Sequence, residues 1–201
     1  MSNYIQDAAT AFQKLLSVKY KIVLGRKDKS ISIDLTFSED NFYHLSGFQH
    51  FKGYHFNKIR KEKFYRDALS GAINDSTVNN YKSNESVLER VKALIQLENL
   101  IDDNNAEFFQ YDMEKVRFAT KLDANFVIKN SLNGVNYILS FLVKRDARKN
   151  ATVLTYNFNS IFPLTSYDFT EKQMRYSVLL KEKAMKNTKS TLFKHPNYNC
   201  K

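Results

Sequence analysis

Four histidines, His44, His50, His55 and His195, are the chain's proton-transfer groups of near-neutral pKa, set among many lysines, arginines and tyrosines. None belongs to a HExxH pair, and His44 and His50 are six residues apart, not the four that would align them on one helix face. There is no P-loop, no GxSxG elbow, no Asp-rich pair and no cysteine nucleophile beside a histidine. No metal or cofactor is therefore expected. What remains is chemistry needing only a base, an acid and cations. RNA brings its own nucleophile, the 2′-hydroxyl. Its cleavage needs a group to take that proton, a group to protonate the leaving 5′-oxygen, and positive charge on the phosphorane.

Each segment that fits this inventory also has a structural reading. His44, in NFYHLSGF, reads as acid or base, or as a half-buried helical histidine. GFQHFKGYHF interleaves aromatics with cations, so rings can stack bases while Lys52 meets phosphate. Its Phe48 and Phe51 read better as loop packing. IFPLTSYDFT holds a hydroxyl cluster, Thr165, Ser166, Tyr167 and Thr170, of a kind that more often forms turns. In the strand 175–183, Arg175, Ser177, Leu179, Lys181 and Lys183 fall on one alternation, which makes one face largely basic.

The elements that must position these groups follow from periodicity. Residues 3–17 predict a helix capped by Ser2, with Tyr4, Ile5, Ala8, Phe12, Leu15 and Leu16 recurring at helical spacing. YKIVLGRKDKSISIDLTF predicts a β-hairpin, with Gly25 supplying a positive φ in its turn. A short helix follows Ser38 and stops at Gly47. Residues 57–70 predict a basic amphipathic helix and 85–102 a helix with a broad apolar face. Beyond it FFQYDM, VRFATKL, ANFVIKN, VNYILSFLVKR, ATVLTYNFNSIF and RYSVLLKEK read as strands, with SLNG and KRDARKN as turns. The expected fold is α+β: N-terminal helices and a β-hairpin packed with a mainly antiparallel sheet formed largely by the C-terminal half. One domain is expected over 1–187, helical at about 38–103 and stranded at about 106–184, with 188–201 a flexible basic tail.

The net charge is +10 over 201 residues, and it is segregated. Lys52 to Arg66 holds six bases and one acid, and Lys172 to Lys201 eight bases and one acid. Asn84 to Glu107 holds six acids and two bases. Such a field attracts a polyanion, although a solvated lysine-rich surface would look the same. The single cysteine, Cys200, excludes an internal disulfide framework and a cysteine zinc site. The N-terminus lacks a signal-peptide pattern and no apolar run spans a membrane, so a cytoplasmic location is expected, in a cell or in an infected cell.

Two segments, FSEDNFYHLSGFQHFKG (37–53) and SIFPLTSYDFTEKQMRYSVLLKEK (160–183), resemble the fourth phage branch of the Barnase–EndoU–colicin–RelE-like nucleases. The resemblance implies helices packed on an antiparallel sheet and metal-independent ribonuclease activity, in a toxin or a phage or mobile-element effector. It implies His44 as acid or base, and Lys183 or Arg175 on the phosphate. Thr165 and Tyr176 would assist. Lys52, Lys58, Arg60, Lys61, Lys181, Ser166 and Tyr167 would contact RNA. Leu180 stands where an aromatic residue is expected. Two other readings stay open. One is a module that binds nucleic acid without cleaving it. The other is a protein-interaction module, motivated by the acidic helix 85–102, with an antitoxin, immunity or host protein as partner.

Overall fold

A computed structural model describes residues 3–50, 58–79, 85–118, 120–143, 154–164, 167–186 and 188–199, apart from the side chains of 50, 78, 79, 85, 86 and 154. The expected caps and contacts of Ser2, Lys52, His55, Thr165 and Ser166, and the 144–150 turn, lie outside the described residues.

The chain opens with α1 (Tyr4–Leu15), which turns Ile5, Ala8, Ala9, Phe12 and Leu15 inward. Its first turn is capped twice. Asn3 Oδ1 accepts the Gln6 amide, and the Asp75 carboxylate accepts the amides of Tyr4 and Ile5 at 3.0 Å. A carboxylate there satisfies unpaired amides and meets the positive end of the helix. β1 (Val18–Arg26) and β2 (Lys29–Thr36) form the expected hairpin. Its turn is tighter than expected. Gly25 lies within β1, opposite Ser30, and Lys27 carries the positive φ of 53°. Gly25 answers a packing demand, because a Cβ there would sit 2.6 Å from Leu179 Cδ1.

The helices follow: α2 (Glu39–Leu45), α3 (Lys61–Leu69), α4 (Asp75–Asn79), α5 (Glu85–Ile95) and α6 (Leu97–Asp102). Ser38 and Asn41 make a capping box at α2. The expected 85–102 helix is two, broken at Gln96, so that Leu97, Leu100 and Ile101 can turn to a different part of the core. Phe12, Phe42, Phe64 and Tyr65 pack as an aromatic cluster between α1, α2 and α3.

Six more strands complete the sheet: β3 (Glu107–Gln110), β4 (Phe126–Leu132), β5 (Val135–Val143), β6 (Leu154–Pro163), β7 (Met174–Met185) and β8 (Thr188–Lys194). The order β1-β2-β6-β5-β4-β3-β7 closes through a β1–β7 pairing into a seven-stranded barrel, with β8 added on β7. Asn133-Gly134, both at positive φ, makes the two-residue turn between β4 and β5.

Three expectations need correction. The sheet is mixed, because β2 and β6 run parallel. Alternation reveals which face a strand buries but not its direction, and the helical excursion after β2 lets the chain return in the same sense. The described residues of VRFATKL form no strand. Its segment crosses the outside of the sheet after a 3₁₀ turn at Met113–Lys115, and Val116 and Leu122 pack on Phe109, Val127 and Ile138. The tail is not loose at its start, since Thr188–Lys194 pairs with β7 as β8. Among the described residues, no helix is long and apolar enough to cross a membrane.

Candidate active site

A cleft of about 790 Å³ lies on the side of the barrel where α5 meets β6. Gly47 and Gln49 reach it from the turn after α2, Glu89 and Arg90 from α5, Thr120 to Asp123 from the crossing segment, and Asn159, Ser160 and Phe162 from β6. Tyr167 and Phe169 line it as well. Both segments that carry the family resemblance thus contribute walls to one cleft.

Arg90 is its defining group. It stands three residues after Val87 and four before Leu94, on the buried stripe of α5, so its stem leaves the helix toward the protein. One guanidinium nitrogen donates to Ser160 Oγ at 2.7 Å, and the guanidinium lies 5.2 Å from the centre of the Phe162 ring. Burial lowers its pKa from the ordinary arginine value, but an arginine remains charged in a protein. Among the described residues it has no carboxylate within ion-pair distance: the adjacent Glu89 pairs instead with Lys92 at 2.8 Å. A desolvated cation without a counter-ion is costly unless an anion is meant to fill the place. Exposed Lys121 adds a second positive group to the lining.

The surroundings hold Arg90 in place. Gly47 has φ +80°, and a Cβ there would lie 2.6 Å from Arg90 Cδ. Replacing Gly47 with alanine should therefore strain the turn by about 1 kcal/mol and also push the guanidinium aside. Any activity that depends on the guanidinium should fall far more than melting temperature, which paired activity and thermal assays would read. Asn159 Nδ2 donates to the Asp123 carbonyl at 2.9 Å and ties the crossing segment to β6. Asp168 accepts from Lys129 Nζ at 2.6 Å and from the Thr170 amide and hydroxyl at 2.8 and 2.6 Å. Burial alone would raise the Asp168 carboxyl, but the Lys129 and Thr170 contacts outweigh it and hold its pKa low. This anchors the turn that carries Tyr167.

The residues expected from sequence are distributed differently. Of those described, Tyr167 alone lines the cleft. His44 is half-buried on α2 and its Nε2 lies 2.6 Å from Lys61 Nζ. That separation is within hydrogen-bond reach. The structure thus brings His44 and Lys61 together, and the His44 carbonyl accepts the Gly47 amide at 3.1 Å, one turn from the cleft. Lys58 and Arg60 are exposed beside them. Arg175 pairs with Glu107 at 2.8 Å, and the Tyr176 hydroxyl donates to Gln110 Oε1 at 3.1 Å, both on β7 against β3.

Lys181 and Lys183 correct the idea of one basic strand face. β7 bulges where Val178 pairs with Leu24 but Leu180 with Val23, which leaves Leu179 over. One extra residue reverses the alternation. Beyond it Lys181 lies opposite Ile22 and Lys183 opposite Tyr20, on the covered face. Lys181 is 1% exposed and donates to the carbonyls of Ile101, Asp102 and Asp103 at the end of α6. It cannot contact RNA from there. Lys183 bridges Glu98 and Asp102 at 2.6 Å each, and Asp102 also accepts the Tyr20 hydroxyl. Burial would lower the pKa of Lys183, but the two carboxylates outweigh it and raise it. Its charge is balanced locally rather than offered to a phosphate.

Arg90, Glu89, Lys121 and Ser160 were not anticipated. The one signal was a cation on the apolar stripe of an otherwise acidic helix. Among the described residues, no three His, Cys, Asp or Glu side chains gather as a metal site.

Fold and cleft together define an α+β barrel protein with a cleft built around a guanidinium that has no carboxylate partner among the described residues. The family model described as phage-Barnase-EndoU-ColicinE5/D-RelE like nuclease4 matches residues 4–196. The chain therefore belongs to this family of phage nucleases, and the match includes β8. No curated protein and no solved structure matches it.

Proposed function

We propose that the protein is a metal-independent endoribonuclease, cutting RNA by attack of the 2′-hydroxyl on the neighbouring phosphate in the cleft that contains Arg90. The observation that carries this reading is the Arg90 guanidinium, which faces a cleft walled by both family-like segments and has no carboxylate to neutralise it among the described residues. Its planar donors suit two oxygens of one phosphate, and the charge that grows on the phosphorane would strengthen that contact. Glu89, one residue away on the same wall, serves as the base for the 2′-hydroxyl proton. Lys121 serves the leaving 5′-oxygen. His44 supports the Gly47 turn and, with Lys58, Arg60 and Lys61, guides the incoming chain.

Glu89→Gln should reduce the cleavage rate by roughly 100-fold or more while leaving RNA affinity close to that of wild type. The direct test is cleavage of a labelled RNA in EDTA. The expected products end in 2′,3′-cyclic phosphate. Cleavage only on addition of a divalent cation, or ends without a cyclic phosphate, would overturn the mechanism. Salt-sensitive binding without turnover would favour the reading of a binding module.

A further inference from the structure

We infer that the cleft selects an unpaired nucleotide, stacking its base on Tyr167 while its phosphate lies at Arg90. The inference deepens the nuclease reading and rests on it for the identity of the phosphate site.

Five large apolar side chains are left exposed among the described residues: Tyr4, Met113, Val135, Tyr167 and Met185. Scattered exposure is ordinary on a protein surface. Tyr167 differs because it lines the cleft and because its orientation is built. One ring face stacks on Phe118, with centroids 4.4 Å apart and planes 25° from parallel. The residue remains 58% exposed, so its other face is open. Asp168, next in the chain, is fixed by Lys129 and Thr170, so the ring is held at the rim rather than swinging on a free loop.

The platform is connected to the cation. Phe118 meets Phe169 edge-on at 5.0 Å, Phe169 meets Phe162 at 5.1 Å, and Phe162 carries the Arg90 guanidinium at 5.2 Å. Three packed rings thus set the spacing between an open aromatic face and a phosphate-fitting cation. A base can lie on an aromatic face only when its own π-face is free, which base pairs inside a duplex do not offer. An arrangement of aromatic platform and cationic groove is what single strands require, and its stacking is tolerant of base identity.

The test uses the full-length protein and an oligoribonucleotide with 2-aminopurine at one position. A 2′-O-methyl group on the preceding sugar blocks attack on the intervening phosphate. The same oligonucleotide is measured alone and annealed to its complement. The single strand should bind at least tenfold more tightly than the duplex, with the 2-aminopurine fluorescence quenched on binding. Tyr167→Ala should weaken single-strand binding about tenfold and lose the quench, whereas Tyr167→Phe should retain both. Equal affinity for single strand and duplex would overturn the inference, as would a Tyr167→Ala protein that binds and quenches like wild type. If binding depends on Tyr167 but unmodified RNA is not cut in EDTA, the nuclease reading fails and the stacking site stands. If the single strand does not bind at all, both fall.

Discussion

Replacing Arg90 with alanine is expected to reduce RNA cleavage by roughly 100- to 1000-fold, the usual effect of removing a preorganised charge-stabilising donor, with no loss of thermal stability. Both halves follow from its surroundings. The guanidinium contacts Ser160 and Phe162, both accessible to the cleft, and has no carboxylate partner among the described residues. Removing it orphans no buried charge and relieves the desolvation that lowers its pKa. A residue whose loss abolishes activity while sparing or raising stability is one the fold retains for function. Arg90→Lys should recover only part of the rate, because an ammonium keeps the charge but not the planar fork. Single-turnover rates and thermal melts on the three proteins would check this.

The second large effect falls on stability. Lys181→Met should destabilise the protein by about 3 kcal/mol, since three carbonyls at the end of α6 lose a charged donor within a covered site. That corresponds to roughly 6–12 °C in a domain of this size. The effect should depend on pH in a definite direction. Burial pushes the Lys181 ammonium down to about 8, against the opposing pull of Asp102 and Asp103, while its ordinary value is 10.5. The unfolded chain therefore binds the extra proton between those values, so stability rises with pH through that window. The penalty of the buried charge is fully present below about pH 8 and fades above it. The gap between wild type and Lys181→Met should thus be wider at pH 9.5 than at pH 7. A gap that narrows would contradict the placement of this lysine.

These two residues also mark where sequence reading succeeds and fails. α1 and the β1–β2 hairpin were legible because each buries one face against one neighbour, so Ile5, Ala8, Phe12 and then Tyr20, Ile22, Ile33 and Leu35 repeat at the period of the element. The crossing segment misled because Val116 and Leu122 alternate for packing against a sheet rather than for pairing within it. β8 was missed for the opposite reason: Thr188 to Thr191 are exposed at every position, so no alternation exists to read. Lys181 and Lys183 looked like a solvent face because alternation was carried through Leu179, where the bulge reverses it.

The site was legible in part. Its two walls, around Gly47 and from Ser160 to Phe169, lie in the segments that carried the resemblance, and Tyr167 was named among the contacts. The cation that faces them was not, because Arg90 lies in the stretch with the greatest excess of acids. Net charge there describes the solvent side of α5 and α6. A single buried-side cation is invisible to such a count, and only its position between Val87 and Leu94 sets it apart.

The central claim is that cleavage belongs to the Arg90 cleft and not to the face of β7. Arg90→Ala and Arg175→Ala, measured side by side for initial cleavage rate in EDTA on one single-stranded RNA, test it most directly. Arg175 is exposed and paired to Glu107, so neither change threatens the fold. The expected result is a loss of at least 100-fold for Arg90→Ala and a change within about twofold for Arg175→Ala, the scale of an exposed ion pair. Full activity in Arg90→Ala, or a loss confined to Arg175→Ala, would contradict it.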